Sequence, residues 1–312
     1  MIGDDFMKQK ASDFKIISIS LIAIMIFFTI VFFKDFSLNI FNLKSSDFSQ
    51  SFNIYHTFLV ILIALSLSII FIINYASKTD KELKERYKSI ATGIGVILLY
   101  LIMPYLNGIP FILLGVDTTD IPLTLEIIYL IAYSALTGAI IAFIYNKRLS
   151  ADFKTFKKNS KEYFSKYIKY WFLALGIMMI SNLFINLLVS NDLPSNEQAI
   201  RNIFNISPLY IFFSAVIYAP IVEELVFRQS MKNIFSNKYV FIILSGLFFG
   251  GMHVFNDFQN ITDLLYIIPY STPGIIFAYM LQKSNNIFVP ISFHFIHNGI
   301  LISLQFLLML LS

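Results

Sequence analysis

The sequence contains no cysteine and few charged residues. Asp, Glu, Lys and Arg make up 13% of the 312 residues, against roughly a quarter in an ordinary soluble chain. The absence of cysteine excludes disulfide bonds, thiolate nucleophiles and metal sites with Cys ligands. Hydrophobic residues make up 57%, so an ordinary soluble domain is excluded as well. We therefore expect the lipid bilayer to be the solvent of this chain.

Long apolar runs predict an all-α fold, a polytopic bundle of about eight to nine transmembrane helices. The stretches Ile16–Phe33 and Phe58–Ile73 contain no ionised side chain and are close to the length that crosses a hydrocarbon core. Nine spans are predicted, near residues 16–33, 57–75, 89–106, 123–145, 167–190, 208–227, 239–255, 263–281 and 287–311.

The basic residues predict the orientation of the bundle. Nineteen Lys and Arg residues fall on one side of the predicted spans, against Lys34, Lys44 and Arg201 on the other. Since basic loops stay in the cytoplasm, the N-terminus is predicted to be cytoplasmic and the protein integral to the membrane. Topology and contact with the lipid bilayer explain the net charge of +4, so no nucleic-acid partner is expected.

Charge patterning divides the chain into three parts. Residues 1–150 are predicted to form an N-terminal transmembrane region of about four spans, and residues 151–166 a basic cytoplasmic loop. Residues 167–312 are predicted to form a catalytic transmembrane core, because ionisable residues recur within their apolar segments.

The segment 219–230, APIVEELVFRQS, places two acids at membrane depth. Glu224 and Arg228 are four residues apart on one helical face, where they can pair. Glu223 points elsewhere, and Pro220 frees a backbone carbonyl beside the acids. A buried acid usually marks a site, although the pair of Glu224 and Arg228 would also serve simply to lock two helices together.

Two further motifs bring histidines into the membrane. In FGGMH, Gly246 and Gly250 suit close helix packing, and His253 follows them. In HFIHN, His294 and Asn298 are one turn apart, a spacing that suits an oxyanion site but also helix-to-helix hydrogen bonds. Counted at about 1.5 Å per residue from the nearest loops, all three motifs reach a similar depth, which favours a common site.

Together these motifs resemble the CAAX protease and bacteriocin-processing family, also called CPBP or Abi, of glutamic or metallo-type intramembrane peptidases. Its pattern is EExxxR, FxxxH and HxxxN on successive helices. The matching residues here are Glu223, Glu224, Arg228, Phe249, His253, His294 and Asn298. The resemblance covers about residues 167–311, with Gln229 where a glycine is common.

The resemblance implies peptide-bond hydrolysis within the membrane. Glu223 and His253 would activate a water molecule, His294 and Asn298 would stabilise the oxyanion, and Glu224 and Arg228 would support them. The partner would be a membrane-associated peptide or protein. The motif HExxH is absent, so a metal-free mechanism is favoured, but Glu223, His253 and His294 would be the ligands if zinc takes part.

Other functions stay open at this point. A bias toward Lys, Asn, Ile and Phe suggests a bacterial cell membrane, where such an enzyme would process peptide pheromones or bacteriocins, or act in self-immunity. The alternatives are a non-catalytic immunity or scaffold protein and an ion-coupled transporter. No inverted repeat supports the transporter.

Overall fold

The computed structural model describes residues 81–115, 121–188, 195–255 and 261–311, which are almost entirely helical and contain no strand. The predicted spans 16–33 and 57–75 lie outside these residues. The chain forms two units, residues 1–95 and 96–312. Of the first unit, residues 81–95 are described and are helical.

The helices follow one another with short connections. We number them α1 Lys81–Leu106, α2 Ile109–Leu114, α3 Leu123–Ile144, α4 Asn146–Leu188, α5 Ser195–Ile206, α6 Pro208–Ile234, α7 Lys238–Phe255, α8 Ile267–Ser284 and α9 Phe288–Leu311. A 3₁₀ turn, Ile261–Tyr266, precedes α8.

Six of the described helices are long and apolar enough to cross a membrane. They contain the predicted spans 89–106, 123–145, 167–190, 208–227, 239–255 and 263–281 in whole or large part. The prediction of an all-α membrane bundle is therefore confirmed, whereas the count of eight to nine spans is not. Within the predicted span 287–311, residues Phe288–Leu311 form the 24-residue helix α9.

The segment predicted as a basic loop, 151–166, is helical. It belongs to α4, a helix of 43 residues with non-helical backbone angles at Asn159, where two helices join across a kink. The segment contains neither glycine nor proline, and Lys, Glu and Ala favour a helix. The cytoplasmic position of the segment and the three-part division of the chain remain predictions.

Helices α7 and α8 pack closely through glycines. A Cβ atom on Gly250 would lie 2.6 Å from the backbone nitrogen of Ser271, and one on Gly246 would lie 2.7 Å from that of Ile275. Only glycine fits at such distances, so the predicted packing role of Gly246 and Gly250 is confirmed. This contact fixes the helix that carries His253 against α8.

A cluster of buried side chains joins α4, α8 and α9 on the N-terminal side of His294. Because aromatic side chains bury large areas, it holds α9 firmly against its neighbours. Its members are Tyr167, Trp171, Phe277, Met280, Val289 and Phe293.

Candidate active site

Helix α6 carries the two glutamates and contains two π-helical stretches, Phe212–Tyr218 and Glu224–Ser230. In the first stretch the N–H of Ala219 donates to the carbonyl of Ser214, five residues earlier. The next residue, Pro220, has no N–H, so the carbonyl of Ala215 receives no bond from it. Asn298 of α9 donates its Nδ2 to this carbonyl over 2.7 Å. The carbonyl beside the acids is thus satisfied by a residue of the third motif.

Glu224 forms two contacts at full burial. Its Oε2 lies 3.1 Å from Nε of Arg228, and the side chains of both residues are 0% exposed. Its Oε1 accepts a hydrogen bond of 2.9 Å from Nδ1 of His294. The pair of Glu224 and Arg228 therefore forms as predicted, and Glu224 also fixes the orientation of the imidazole on α9.

The guanidinium of Arg228 lies between aromatic rings. Its Cζ is 4.2 Å from the ring centre of Phe249 and 5.8 Å from that of Phe277. The ring faces attract the cation, which offsets part of the cost of removing it from water. Arg228 therefore serves as a buried counter-charge for the glutamates.

Glu223 lies in a less enclosed position than Glu224. Its side chain is 13% exposed, and its Oε2 lies 3.7 Å from Nε2 of His294. This separation is longer than a direct hydrogen bond. His294, 4% exposed, thus presents one ring nitrogen to each glutamate.

His253 joins the site through an aromatic neighbour. Its Nδ1 lies 3.0 Å from the carbonyl oxygen of Phe249. Since a carbonyl only accepts, Nδ1 carries the proton and a neutral ring keeps Nε2 as an acceptor. Phe249 lies between the two histidines, with ring centres 4.4 Å from His253 and 5.9 Å from His294. Among the described residues, no hydrogen bond or ion pair joins His253 directly to Glu223.

Three aromatic residues near the site were missed by sequence reasoning. The ring of Tyr270 stacks on His253 with centres 5.3 Å apart. Tyr100 and Tyr218 lie close enough to Glu223 for an electrostatic interaction with its carboxylate. These tyrosines lie in apolar runs like many others in the chain, so no motif distinguished them.

Glu223, His253 and His294, the ligands expected only if zinc takes part, are not grouped in the geometry of a metal site. No three His, Asp or Glu side chains among the described residues are arranged to hold a metal ion. Nδ1 of His294 is already hydrogen-bonded to Glu224, and Nδ1 of His253 to the carbonyl of Phe249.

The arrangement brings together residues that lie far apart in the sequence. Glu223, Glu224, Arg228 and His294 contact one another within one buried cluster. A carboxylate beside an imidazole can accept or donate a proton, and this cluster contains both groups. The roles of the individual residues remain predictions.

A comparison with protein families bears on this cluster. Residues 205–300 match the model described as type II CAAX prenyl endopeptidase, Rce1-like. This part of the chain resembles CAAX proteases. The resemblance predicted from the three motifs is confirmed for these residues, which include every candidate site residue.

Two curated relatives have names that also describe peptidases of the membrane. YdiL of Bacillus subtilis, by its name a candidate membrane peptidase, is 29% identical over 113 residues, which cover 35% of this chain and 43% of YdiL. MroQ of Staphylococcus aureus, named a membrane-embedded CAAX protease, is 26% identical over 231 residues, which cover 68% of this chain and 87% of MroQ.

A third relative, from Mycoplasma capricolum, has no functional name. It is 27% identical over 213 residues, which cover 62% of each protein. The chain thus spans less than two thirds of both YdiL and this relative. No solved structure matches the chain.

Proposed function

We propose that this chain is a CAAX-protease-like intramembrane endopeptidase. One observation carries the proposal: His294 contacts a fully buried glutamate through Nδ1 at 2.9 Å and a partly accessible glutamate through Nε2 at 3.7 Å. Glu224 would hold the ring, whereas Glu223 remains accessible to a substrate.

In the proposed reaction, Glu223 takes a proton from a water molecule as the oxygen attacks the carbonyl carbon of the substrate. The tetrahedral intermediate then collapses, the C–N bond breaks, and the proton passes to the leaving amine. General base catalysis of this kind contributes about 10² to 10⁴ in rate. His253, with Nε2 as an acceptor, would assist in orienting the water.

Two groups would stabilise the oxyanion. Asn298 uses one N–H of its amide on the carbonyl of Ala215 and retains a second. His294, when protonated at both nitrogens, donates to Glu224 from Nδ1 and directs Nε2–H toward Glu223, the side on which the substrate carbonyl would bind. Donors already held in place need no reorganisation during the reaction, and removing one typically costs about 10² to 10³ in kcat.

The proposed substrate is a peptide or protein associated with the membrane. The likeness to MroQ and to the CAAX endopeptidase model supports this class. Within it, precursors of peptide pheromones or bacteriocins are the substrates we propose for a bacterial membrane, ahead of prenylated proteins.

The experiment that tests the proposal is cleavage of fluorogenic peptides by the protein purified into liposomes. We expect Glu223→Gln to lower kcat by at least about 10²-fold, because an amide cannot act as a base. The matched control is Glu197→Gln, which makes the same change at an exposed glutamate on α5. Prenylated and unprenylated peptides are compared in parallel.

A chelator arm decides the question of the metal. Activity that survives extended treatment with chelator supports the metal-free glutamate mechanism, whereas activity lost with chelator and restored by zinc supports the zinc alternative. If the folded wild-type protein cleaves no peptide, the endopeptidase proposal fails. The buried cluster is then assigned to a binding scaffold or to ion transport.

A further inference from the structure

The connection between α8 and α9 contacts polar residues from two other helices. It consists of residues 285–287, and Asn285 adopts a left-handed backbone with φ +50°. Side chains from α4 and α6 reach this short segment. The connection immediately precedes the helix that carries His294 and Asn298.

Asp152 of α4 caps the start of α9. Its Oδ2 accepts a hydrogen bond of 2.8 Å from the backbone N–H of Ile287, and its backbone carbonyl accepts one of 2.8 Å from Nδ2 of Asn286. The first N–H groups of a helix have no partner within it and need acceptors from elsewhere. Here the acceptor comes from a residue more than 130 positions earlier in the chain.

Two cations complete the cluster. Arg148 pairs with Asp152 at 2.9 Å through Nε and reaches Oδ1 of Asn285 at 3.1 Å through Nη2. Lys232 of α6 donates to the same Oδ1 at 2.9 Å. Asn285 thus links α4 to α6, and Asp152 links α4 to α9.

The cluster lies at a matching distance from the site on both helices. Lys232 follows Glu224 by eight residues, and His294 follows Asn285 by nine. Each interval amounts to roughly two helical turns of its own segment. A linkage at this level therefore sets which turn of α9 faces Glu224.

We propose that Asp152 is a positioning residue for the site, acting through the N-terminus of α9. It lies outside residues 205–300, which match the peptidase model. As a catalytic effect, the inference rests on the proposed function. The effect of Asp152 on the register between α6 and α9 does not rest on the proposed function, because this register can be measured without a substrate.

The first experiment measures kinetics. Asp152→Ala removes the acceptor for the N–H of Ile287, whereas Asp152→Asn retains an oxygen at that place. We expect Asp152→Ala to lower kcat by about 10- to 100-fold with little change in KM, since small misplacements of catalytic groups are costly. Asp152→Asn should recover most of the activity. Glu162→Ala, an exposed acid on the same helix, is the matched control and should leave kcat unchanged.

The second experiment measures geometry. The chain has no cysteine, so spin labels can be placed at Leu209→Cys on α6 and Leu304→Cys on α9, both exposed. We expect Asp152→Ala to shift or broaden the distance between the labels by pulsed electron paramagnetic resonance. Asp152→Asn and Glu162→Ala should leave it as in the parent.

The outcomes separate this inference from the proposed function. A changed label distance in a chain that cleaves nothing supports the positioning role and removes the endopeptidase. An unchanged distance together with an unchanged kcat overturns the positioning role. A lower thermal stability alone, with kcat and distance unchanged in the folded fraction, also overturns it, because the cluster would then be only structural.

Discussion

Glu223 and Glu224 are neighbours in the sequence, but their carboxylates lie in different environments. Glu224 is enclosed and paired with Arg228, whereas the side chain of Glu223 is 13% exposed. Consecutive side chains point in different directions around a helix, so one carboxylate faces the guanidinium and the other remains partly exposed. This difference supports the proposal that Glu224 holds the site together and that Glu223 acts on the substrate.

The first residue-scale prediction concerns the buried ion pair. We expect Glu224→Ala to lower the free energy of unfolding by about 3 to 5 kcal/mol, because it leaves the guanidinium of Arg228 buried without its partner. The measurement is reversible unfolding in mixed detergent micelles.

The chain provides a matched control for this prediction. Glu197 and Arg201 have the same i, i+4 spacing, but their side chains are 41% and 47% exposed. We expect Glu197→Ala to cost less than about 1 kcal/mol, since solvent screens an exposed pair. Equal losses in the two variants would show that burial does not set the strength of the pair.

At the scale of one element, α6 departs from a regular helix on either side of Pro220, in its two π-helical stretches. The carbonyl left without an N–H donor from Pro220 is that of Ala215, and Asn298 takes it. The irregularity thus creates the point at which α9 attaches. A π-helical stretch beside the glutamates is consistent with a functional site.

A double-mutant cycle tests this attachment. We expect Asn298→Ala to cost about 1 to 3 kcal/mol in the free energy of unfolding, because it leaves the partly buried carbonyl of Ala215 without a hydrogen-bond donor. In a Pro220→Ala background the restored N–H would bond to Ala215, so the cost should fall by about 1 kcal/mol or more. If the losses of unfolding free energy in the two single variants simply add in the double variant, Pro220 is not the reason that the carbonyl of Ala215 lacks a backbone donor.

The contact between α7 and α8 gives a further prediction at this scale. Gly250→Ala should cost about 1 to 3 kcal/mol, since the new methyl group would lie 2.6 Å from the backbone nitrogen of Ser271. Gly176→Ala is the control, because nothing lies within 4 Å of a Cβ atom there. In a helix, that change should leave stability equal or slightly higher. Thermal unfolding in detergent compares the two variants.

At the scale of the whole molecule, the basic residues predict the orientation in the membrane. The natural absence of cysteine permits single-cysteine labelling. We expect Gln198→Cys to react with an impermeant maleimide in intact cells, and Lys157→Cys to react only after permeabilisation. The reverse pattern would invert the predicted topology and the side from which substrate enters.

The sequence predicted the architecture well and the site in part. Long apolar runs predicted the membrane bundle because a helix needs about that many apolar residues to cross the hydrocarbon core. The spacing within one helix predicted the pair of Glu224 and Arg228 and the close approach at Gly250, since 3.6 residues per turn sets which side chains share a face. The basic segment 151–166 is helical and not a loop, because its residues include good helix formers and neither glycine nor proline.

Only the tertiary structure decided how the motifs meet. Sequence spacing gives positions along each helix, but the rotation and depth of one helix against another depend on the packing between them. That packing brings His294 close to both glutamates, lets Asn298 donate to the carbonyl of Ala215, and places Asp152 at the start of α9. The sequence by itself determined which polar groups enter the membrane, and the packing of α4, α6, α8 and α9 decided which of them touch.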